Sequence, residues 1–344
     1  MPTQRCWRIG FAGFGSVNRA LARLLVARRR ELERRHGISF RVTLISSARR
    51  GARVAPEGID LEGALGEGWR GVGSALEAMG GAPIDILFEG TPLDPVRGEP
   101  ATSHAREALR RGISVISANK GPVAFAAREL IRIAHGSGAG FRFESAVADC
   151  MPVFSLVESA LPIGKVTRFK GILNSTSNLV LQAVARGGSV EEAVSGARAA
   201  GVAEADPAHD LDGWDQAVKA SILAAILLGR EVRPAQVERT ALSGLDPGWI
   251  RSETRAGRVV RLAASGGASG PIRVAALCLD PRSFLGGLKA GSLGLVLETE
   301  LAGTIHVAIA GSGVEQTAYG MLADMVAIHY GRLVVPSALA EPEG

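Results

Sequence analysis

The carboxylates of residues 201–220, GVAEADPAHDLDGWDQAVKA, are the part of the chain most suited to chemistry. Lys219 follows Asp215 by four residues, so on a helix the two side chains project from one face. The helix continues as an apolar run, which predicts that this face is partly buried. A pair in that setting favours binding of a zwitterionic amino acid, whereas an exposed pair would contribute only roughly a few tenths of a kcal/mol. The acidic residues of the stretch are Glu204, Asp206, Asp210, Asp212 and Asp215.

Lysine is rare in this chain, since only five of its 39 basic residues are lysines. The pKa of a lysine can be moved towards neutrality by burial, whereas an arginine stays charged. Lys120 lies in SANKGP, between a predicted strand and a predicted helix, at the kind of sheet edge where ligands bind. We therefore predict that Lys120 and Lys219 are catalytic amines that handle the proton of a substrate oxygen. The alternative for Lys120 is an exposed loop lysine. The remaining lysines, which are interpreted as structural, are Lys165, Lys170 and Lys289.

A glycine-rich turn follows the first predicted strand and fits G-x-G-x-x-G with Asn18 at the third glycine position. Gly13 permits the tight turn, and Gly15 permits close approach of the backbone to a pyrophosphate. The helix that begins near Ser16 supplies amide donors and a positive dipole end for the anion. The third glycine normally allows close helix–strand packing, so Asn18 predicts a slightly displaced helix. The residues predicted to bind the cofactor here are Gly13, Phe14, Gly15, Ser16 and Val17.

The end of the second predicted strand reads SSARRG and carries no acidic residue. An acid at this position would hold the ribose hydroxyls of NAD. Ser47, Arg49 and Arg50 suit a 2′-phosphate instead, which favours NADP(H). The alternative is a surface arginine pair in an arginine-rich protein.

The elements that must position these residues alternate between β-rich and helical stretches over the first 145 residues. Strand–helix alternation at this spacing predicts βαβ units on a parallel sheet. The predicted strands are 6–13, 39–47, 84–90, 113–119 and 140–145, and the predicted helices lie near 18–35, 74–80, 102–112 and 123–136.

After Pro152 the pattern changes to that of an α+β unit with its own sheet. Helices are predicted at 175–186, 189–200 and 211–230, and strands at 165–174, 257–264, 271–279, 293–300 and 303–310. An amphipathic helix at 317–331 is expected to return to the first domain. The predicted fold is α/β, with a Rossmann-type domain at 1–151, an α+β substrate and dimerisation domain at 152–312 and a C-terminal segment at 313–344.

Composition excludes several classes of function. The longest apolar run, residues 222–228, is too short to cross a bilayer. The N-terminus leads directly into a predicted strand, so no signal peptide is expected. The cysteines, at positions 6, 150 and 278, are too widely spaced for a disulfide framework or a zinc site. The net charge of +5 would suit nucleic acid, but the basic residues are dispersed and aromatics make up 5%. We expect a cytoplasmic protein that binds neither nucleic acid nor membrane.

These motifs together resemble the homoserine dehydrogenase family. The strongest is GVAEADPAHDLDGWDQAVK, which is similar to the family's substrate signature G-x-x-E-x-D-P-x-x-D-x-x-G-x-D-x-x-x-K. The others are GFGSV, EGTP with GEPA, SANKGPVA, FESAVADCMP and KGILNSTSNLVL, and GSGVEQTA is similar to the turn that closes over the cofactor. The resemblance spans nearly the whole chain. It implies interconversion of L-homoserine and L-aspartate 4-semialdehyde with NADP(H), in threonine and methionine biosynthesis.

The resemblance also implies roles for individual residues. Glu204 and Asp215 would bind the ammonium or hydroxyl group of the substrate, Lys219 would polarise its reacting oxygen, and Lys120 would be the second amine. Burial and neighbouring carboxylates shift the pKa of a lysine in opposite directions, so which lysine carries the proton stays open. The substrate pocket would also include Ser175, Thr176, the backbone at Val202 and Asp210. The cofactor site would also include Thr91, Asn119, Lys120 and Gly311.

Three departures from the family pattern bear on the site. Asn18 replaces the third glycine, and Ser175 replaces a glycine beside the substrate and narrows the pocket. Asp149 and Cys150 stand where the family typically has small residues near a monovalent-cation site (Na⁺ or K⁺). The resemblance implies that Glu144 and Val147 would contribute to such a site, and an acidic Asp149 would alter its geometry. The chain stops soon after its last predicted helix, so feedback through a C-terminal regulatory domain is not expected.

Two alternatives accompany the dehydrogenase hypothesis. The pocket departures keep open a related dehydrogenase of another small amino or hydroxy acid. A catalytically inactive NADP-binding protein would be expected to have lost Lys120, Asp215 or Lys219, and all are present. An acyl-enzyme aldehyde dehydrogenase would need an activated cysteine, and Cys150 lies beside an acid instead.

The β-rich second domain makes a homodimer the expected assembly.

Overall fold

The structure is a computed structural model and describes residues 4–66, 68–199 and 211–339. The chain divides into two compact units. The first comprises the chain up to Cys150 together with Gly313–Pro336, and the second comprises Met151–Ser312 and the residues from Ser337 onward. Within the described residues, no helix combines the length and apolar character needed to cross a bilayer.

A six-stranded sheet forms the centre of the first unit. Its strands are β1 (Arg5–Ala12), β2 (Ile38–Ser47), β3 (Gly51–Val54), β4 (Ile86–Glu89), β5 (Ser114–Ser117) and β6 (Phe141–Arg142). They lie in the order β3-β2-β1-β4-β5-β6, and all neighbours are parallel except β3, which pairs antiparallel with β2. The order changes direction at β1, as in doubly wound nucleotide-binding sheets. The predicted Rossmann-type parallel sheet is thus confirmed.

The register brings three strand ends to one level. Ala12 at the end of β1 pairs with Glu89 of β4, and Glu89 pairs with Ser117 of β5. The loops that begin at Gly13 and Gly90 therefore leave the sheet side by side with the loop that leads to Lys120. Residues far apart in the sequence are collected at this edge by strand pairing alone.

Helices of the first unit cover the sheet. They are α1 (Ser16–His36), α2 (Leu61–Leu65), α3 (Ala75–Met79), α4 (Ala101–Arg110), α5 (Gly121–Ser137) and α6 (Ser145–Ala148). In α1, Leu21, Leu25 and Leu32 lie at helical spacing and are buried against the sheet. The helix ends at Gly37, whose left-handed φ of 69° suits a glycine and whose N–H returns to Glu33 O at 3.0 Å.

A second six-stranded sheet forms the second unit. Its strands are β7 (Val166–Ile172), β8 (Glu238–Arg239), β9 (Val259–Gly267), β10 (Arg273–Leu279), β11 (Leu293–Thr299) and β12 (Thr304–Ile309). They lie in the order β12-β11-β7-β9-β10-β8, antiparallel except for β8 beside β10. The accompanying helices are α7 (Phe154–Ala160), α8 (Ser175–Ala185), α9 (Val190–Ala199), α10 (Trp214–Leu228) and α11 (Pro247–Arg255). The predicted α+β character is confirmed.

The last helix, α12 (Val314–His329), belongs to the first unit, as predicted. Met321 and Met325 are fully buried in the core that α12 shares with α1. Asp324 forms a buried ion pair with Arg142 of β6, with Oδ1 2.8 Å from Nε. Asp324 Oδ2 also accepts the backbone N–H of Glu144 at 2.9 Å. Core packing and one buried charge pair thus fasten this helix to the sheet.

Several short elements were not predicted. β3 is four residues long with two exposed side chains, too short for an alternating pattern to be read. α11 had a readable signal, because Asp246 caps Gly248 and Trp249 N–H at 2.8 and 3.1 Å, and Pro247 opens the helix. The two-residue strand β8 has no sequence signature at all.

Candidate active site

The turn after β1 has a conformation that its glycines permit. Gly13 has a φ of 79°, and a Cβ at this position would lie 2.7 Å from the Thr91 nitrogen. A Cβ on Gly15 would meet nothing within 4 Å, so the chain leaves open space at the second glycine. In dinucleotide-binding turns this space receives the pyrophosphate.

The start of α1 offers backbone donors beside that space. The first N–H groups of a helix have no intrahelical acceptor, so Ser16 and Val17 can present theirs to an anion. Phe14 donates its N–H to Ser46 O at 2.6 Å, and Gly15 donates to a carbonyl of the same turn at 2.9 Å. The Phe14 ring is buried in the core. Among the residues predicted for this turn, Ser16 and Val17 therefore have the free donors.

Asn18 takes the place of the third glycine as a buried brace. Its side-chain nitrogen donates to the carbonyls of Ala12, Gly13 and Phe88 at 3.1, 2.9 and 3.3 Å. A Cβ on Gly90 would lie 2.7 Å from that nitrogen, so the neighbouring loop must be glycine there. Asn18 thus links the ends of β1 and β4 directly, which is a role that the sequence pattern did not indicate.

A cavity of about 370 Å³ in the first unit, here called the nucleotide cavity, opens beside this turn. Its volume is within the range of roughly 300–1,000 Å³ typical of ligand sites. Its lining residues are Gly13, Ser46, Ser47, Ala48, Gly73, Ser74, Ala75, Glu77, Thr91, Pro100 and His104. The cavity therefore brings together Gly13, Ser47 and Thr91, three residues predicted to bind the cofactor.

Arg49 and Arg50 are not among the residues that line the nucleotide cavity. Arg49 is exposed, and its N–H donates to the Ser47 hydroxyl at 3.3 Å. The Arg50 guanidinium lies 5.6 Å from the ring centroid of Trp69, and one of its nitrogens is buried with no hydrogen-bond partner among the described residues. Contact of either arginine with a 2′-phosphate stays a prediction.

A buried hydrogen-bond network connects the loops after β4 and β5. Glu89 Oε1 accepts the N–H of Thr91 at 2.8 Å and also its hydroxyl. Glu89 Oε2 lies 2.7 Å from His104 Nδ1, and both side chains are buried. Asn119 Nδ2 donates to Thr91 O at 2.8 Å, and Asn119 Oδ1 accepts the N–H of Gly121 at 2.7 Å. Thr91 and Asn119, both predicted cofactor residues, are thus bonded to each other.

Lys120 occupies the turn between β5 and α5. It lies directly before Gly121, the first residue of α5, and its carbonyl accepts the N–H of Ala124 at 2.9 Å. The side chain is half-buried. Its backbone position is fixed by the Asn119 hydrogen bonds on one side and the helix on the other.

In the second unit, Lys219 and Asp215 form a half-buried ion pair on α10. Lys219 Nζ lies 2.8 Å from Asp215 Oδ2, and the side chains are 12% and 15% exposed. Nζ also donates to Leu173 O at 2.6 Å. Asn174 Nδ2 donates to the same carboxylate oxygen at 2.9 Å. The pair is therefore held by the segment that joins β7 to α8.

Polar side chains behind this pair are also bonded. Asn178 donates to Leu262 O at 3.1 Å and accepts Leu262 N–H at 3.1 Å. Gln216, fully buried beside Asp215, donates to the Ser177 hydroxyl at 3.3 Å. These bonds tie α8 and α10 to β9 and fix the helix faces that carry Asn174 and Asp215.

Ser175 and Thr176 begin α8, next to Asn174. Thr176 is buried and Ser175 is half-buried. The Ser175 hydroxyl accepts a hydrogen bond from the Ser312 hydroxyl at 3.2 Å. Gly311, with φ 84°, lies in the same turn as Ser312 and is exposed. The serine that replaces the family's glycine thus contacts the glycine-rich turn that was predicted to close over the cofactor.

The segment proposed for a cation is buried in the first unit. Glu144 and Val147 are 5% and 1% exposed. Asp149 has a φ of 55°, uncommon for a residue with a side chain, and its carboxylate accepts Gly313 N–H at 3.2 Å and the Thr317 hydroxyl at 2.8 Å. Asp149 therefore caps the start of α12. Among the described residues there is no group of three or more His, Cys, Asp or Glu suited to a metal ion.

Cys150 lies next to that carboxylate. Burial, and then the charge of Asp149, raises the pKa of the Cys150 thiol. A protonated thiol is a poor nucleophile, which argues against an acyl-enzyme mechanism.

Three of the predicted substrate residues, Val202, Glu204 and Asp210, lie outside the described residues. Lys120 belongs to the first unit and Lys219 to the second. Their convergence on one substrate stays a prediction.

Sequence reasoning missed Asn174, Glu89 and His104. Each acts on a partner 15 to 41 residues away, so no local spacing indicates it. For Glu89 and Asn174 there was one available signal: each is a polar residue in the last two positions of a predicted strand, in EGTP and LNST respectively.

A glycine turn over a parallel sheet, followed by a unit with a lysine–aspartate pair, places the protein in the class of NAD(P)-dependent oxidoreductases. A family model described as homoserine dehydrogenase matches residues 152–326. The chain is 34% identical to the NAD(+)-dependent homoserine dehydrogenase of Pseudomonas canavaninivorans, over 94% of this chain and 96% of that protein. It is 29% identical to the homoserine dehydrogenase of Methanocaldococcus jannaschii, over 92% and 97% of the two chains.

Among solved structures, a hyperthermophilic archaeal homoserine dehydrogenase in complex with NADPH is similar with a TM-score of 0.81 and 25% identity. The similarity covers 95% of this chain and 98% of that chain. The chain belongs to the homoserine dehydrogenase family.

Proposed function

We propose that the protein catalyses the NAD(P)-dependent interconversion of L-homoserine and L-aspartate 4-semialdehyde. The observation that carries the proposal is the half-buried Lys219–Asp215 pair, held by Asn174 and Leu173 O in a chain of this family. A carboxylate and an amine in one place match the ammonium and hydroxyl groups of an amino alcohol.

The Lys219 ammonium has enough N–H groups to keep its contacts within the protein and also to bind a substrate oxygen. An ammonium carries three N–H groups. Among the described residues two of them are donated, to Asp215 and to Leu173 O, which leaves one for the reacting oxygen. Donation to the aldehyde oxygen, or to the alkoxide that forms from the alcohol, would stabilise the charge that develops there.

Lys120 is the second amine of the proposal. The oxidation of an alcohol releases a hydride and a proton. A bound nicotinamide would accept the hydride, and we assign the proton to the amine of Lys120, acting as a general base. Lys120 lies at the carboxyl end of β5, on the edge of the sheet where cofactors of this fold bind. The proposal requires Lys120 and Lys219 to reach the same substrate, together with Glu204, Asp210 and Val202.

The cofactor preference has two candidates, and we propose NADP(H). The absence of an acid in SSARRG and the presence of Arg49 and Arg50 support it. Glu77 supports NAD(H), because it lines the nucleotide cavity. The hydrogen bond from the Ser74 N–H, and after it the one from the Ser74 hydroxyl, lower the Glu77 pKa and keep its carboxylate charged. A carboxylate there would repel a 2′-phosphate.

The proposal includes a monovalent cation near Glu144 and Val147. Hard cations of this kind bind oxygen ligands, and Glu144 has a buried carboxylate. The Asp149 carboxylate accepts hydrogen bonds from the start of α12, so it need not disturb such a site. A bound cation would offset the charge of Glu144. Turnover measured with Na⁺, K⁺ or a bulky organic cation at one ionic strength tests this, and equal rates would contradict it.

A homodimer, formed through the second unit, completes the proposal. The outer strand β12 alternates exposed and half-buried side chains, as expected of a sheet with one face free for a partner. Light scattering after gel filtration would give twice the chain mass of 35.7 kDa. A monomeric mass at assay concentrations would contradict this part.

The deciding experiment is a spectrophotometric assay of homoserine with NAD⁺ and with NADP⁺. We expect reduction of both cofactors, with the larger kcat/KM for NADP⁺. Absence of homoserine turnover would overturn the proposal. A panel of small amino alcohols and hydroxy acids tests the alternative that Ser175 supports, since its hydroxyl fills space that a glycine would leave. A substrate with much higher kcat/KM than homoserine would favour that alternative.

A further inference from the structure

His104 and Glu89 form a buried pair to which the proposed reaction gives no role. Nδ1 of His104 lies 2.7 Å from Oε2 of Glu89, and the side chains are 6% and 0% exposed. Removing a carboxylate from water is costly unless hydrogen-bond donors replace the water. Here the donors are His104, the Thr91 N–H and the Thr91 hydroxyl. The histidine is thus held in one orientation by a fully bonded carboxylate.

The network leaves one ring nitrogen of His104 for a ligand. The Thr91 N–H and the Thr91 hydroxyl both donate to Oε1 of Glu89, and the hydroxyl accepts from Asn119 Nδ2 at 3.3 Å. Oε2 of Glu89 is bonded to Nδ1 of His104. Nε2 is left as the ring nitrogen available to a ligand.

His104 lines the nucleotide cavity, whose other lining residues include positions expected to bind the adenosine half of a dinucleotide. The cavity also contains Gly13 at the end of β1 and Ser47 at the end of β2. In sheets of this strand order the first glycine turn receives the pyrophosphate and the end of the second strand receives the adenine ribose. Lys120, beside which the nicotinamide is expected, is not among the lining residues.

We propose that His104 contacts the adenosine diphosphate part of the cofactor through Nε2, with Glu89 fixing the ring for that contact. The inference rests on the proposed function, because it takes the nucleotide cavity as the cofactor site. A neutral imidazole would accept a hydrogen from a ribose hydroxyl, and an imidazolium would donate to a phosphate oxygen. In both cases Glu89 holds Nδ1 and leaves Nε2 to the ligand.

Calorimetric titration of the full chain with ADP-ribose, and separately with nicotinamide mononucleotide, tests the inference. We expect His104→Ala to weaken ADP-ribose binding about tenfold, the effect of one hydrogen bond to a polar or charged group. His104→Gln should recover most of the affinity, because the glutamine amide reaches the place of Nε2. Glu89→Gln should weaken binding as well. Nicotinamide mononucleotide should bind all variants equally.

Glu107→Ala is the matched control, since Glu107 is on the same helix and its side chain is 41% exposed. Wild-type affinity of His104→Ala for ADP-ribose would overturn the inference. Equal loss of both ligands with a lowered melting temperature, not recovered by His104→Gln, would also overturn it and assign the pair to stability. Failure of the proposed function is distinct: the wild type would then bind ADP-ribose but not oxidise homoserine.

Discussion

Asp215 is the residue on which the proposed substrate site depends. One of its oxygens is shared by the Lys219 ammonium at 2.8 Å and the Asn174 amide at 2.9 Å. Two donors on one oxygen fix the direction of the carboxylate, and they also fix Lys219 relative to the start of α8. In the proposed mechanism, a single carboxylate therefore couples substrate recognition to proton handling.

Removal of either proposed catalytic amine should reduce turnover strongly. We expect Lys219→Ala and Lys120→Ala each to lower kcat by roughly 100-fold or more, the contribution typical of a positioned acid or base. Binding of NADPH, followed by its fluorescence, should change far less. Lys289→Ala is the control, because Lys289 is exposed. Near-normal kcat in both variants would remove the mechanism.

Asn174→Ser separates two functions of one side chain. Serine can still cap α8, as Asn174 does by accepting the Ser177 N–H at 2.9 Å, but it cannot reach Asp215 with an amide. We expect a fall in kcat/KM for homoserine of about tenfold, from loss of a hydrogen bond to a charged group, with an unchanged melting temperature. Steady-state kinetics beside Arg186→Ala, a change at the exposed end of α8, checks this. Unchanged kinetics would show that the orientation of Asp215 does not depend on the Asn174 amide.

Among individual residues, the sequence predicted side-chain pairs that are close in the chain and missed pairs whose members only the fold brings together. Asp215 and Lys219 were predictable because four residues separate them on a helix. Asn174 was not, because its partner is 41 residues away. Arg49 and Arg50 were predicted from their position after a strand, but the side chain of Arg50 lies near Trp69, a neighbour that no sequence rule supplies.

At the scale of elements, α4 and α5 are joined by a bidentate pair between Arg106 and Glu129. The distances are 2.7 and 3.0 Å, and the side chains are 27% and 36% exposed. The hydrogen bond from Arg106 lowers the Glu129 pKa below its usual 4.5. A depressed carboxyl pKa means that the stabilisation is present above pH 4.5 and is lost as the pH falls through the folded-state pKa.

We therefore expect Glu129→Gln to lower stability at pH 7 and to have a smaller effect at an acid pH below the folded-state pKa of Glu129. Because the pair is partly exposed, the loss should not exceed about 1 kcal/mol. Urea unfolding at the two pH values measures it, with Glu107→Gln on α4 as the control. A difference between wild type and Glu129→Gln that grows at low pH would contradict the assignment.

The buried pair of Arg142 and Asp324 should matter much more. The side chains are 1% and 4% exposed, so Asp324→Ala would leave a guanidinium buried without its counter-charge. Loss of one partner of such a pair typically costs about 3–5 kcal/mol. Thermal unfolding of the first unit should therefore occur well below the wild-type temperature. Glu31→Ala, which removes an exposed pair on α1, should shift it little. Equal shifts in the two variants would show that Arg142 finds another partner.

Elements with a long, periodic pattern were predictable and short ones were not. β1, α1 and α10 follow from apolar runs at strand or helix spacing. The antiparallel strand β3 forms because residues 51–54 pair with β2 after a tight turn, and this pairing is not visible in the local sequence pattern. The substitution of Asn18 was predicted to displace α1; what the structure adds is that Asn18 binds three carbonyls and so replaces packing with hydrogen bonds.

At the scale of the whole molecule, the first unit is built from two distant parts of the chain. Gly313–Pro336 returns to the unit after the second one is complete. A close approach shows how tightly it packs, because a Cβ on Gly320 of α12 would lie 2.3 Å from the Ser145 hydroxyl. The proposed cofactor site therefore lies in a unit that is completed by a segment following the second unit in the chain.

A chain that ends at Ser312 tests this dependence. It lacks Met321 and Met325, each worth about 2–5 kcal/mol as a buried side chain, and it removes Asp324 from its buried ion pair with Arg142, at about 3–5 kcal/mol. Together these losses are as large as the roughly 5–15 kcal/mol that typically stabilises a domain. We expect the shortened chain to lose ADP-ribose binding and to be cut rapidly by protease within the first 150 residues, whereas a chain that ends at Leu339 should bind normally. Retention of binding without α12 would mean that the sheet and its first six helices fold and hold the nucleotide by themselves.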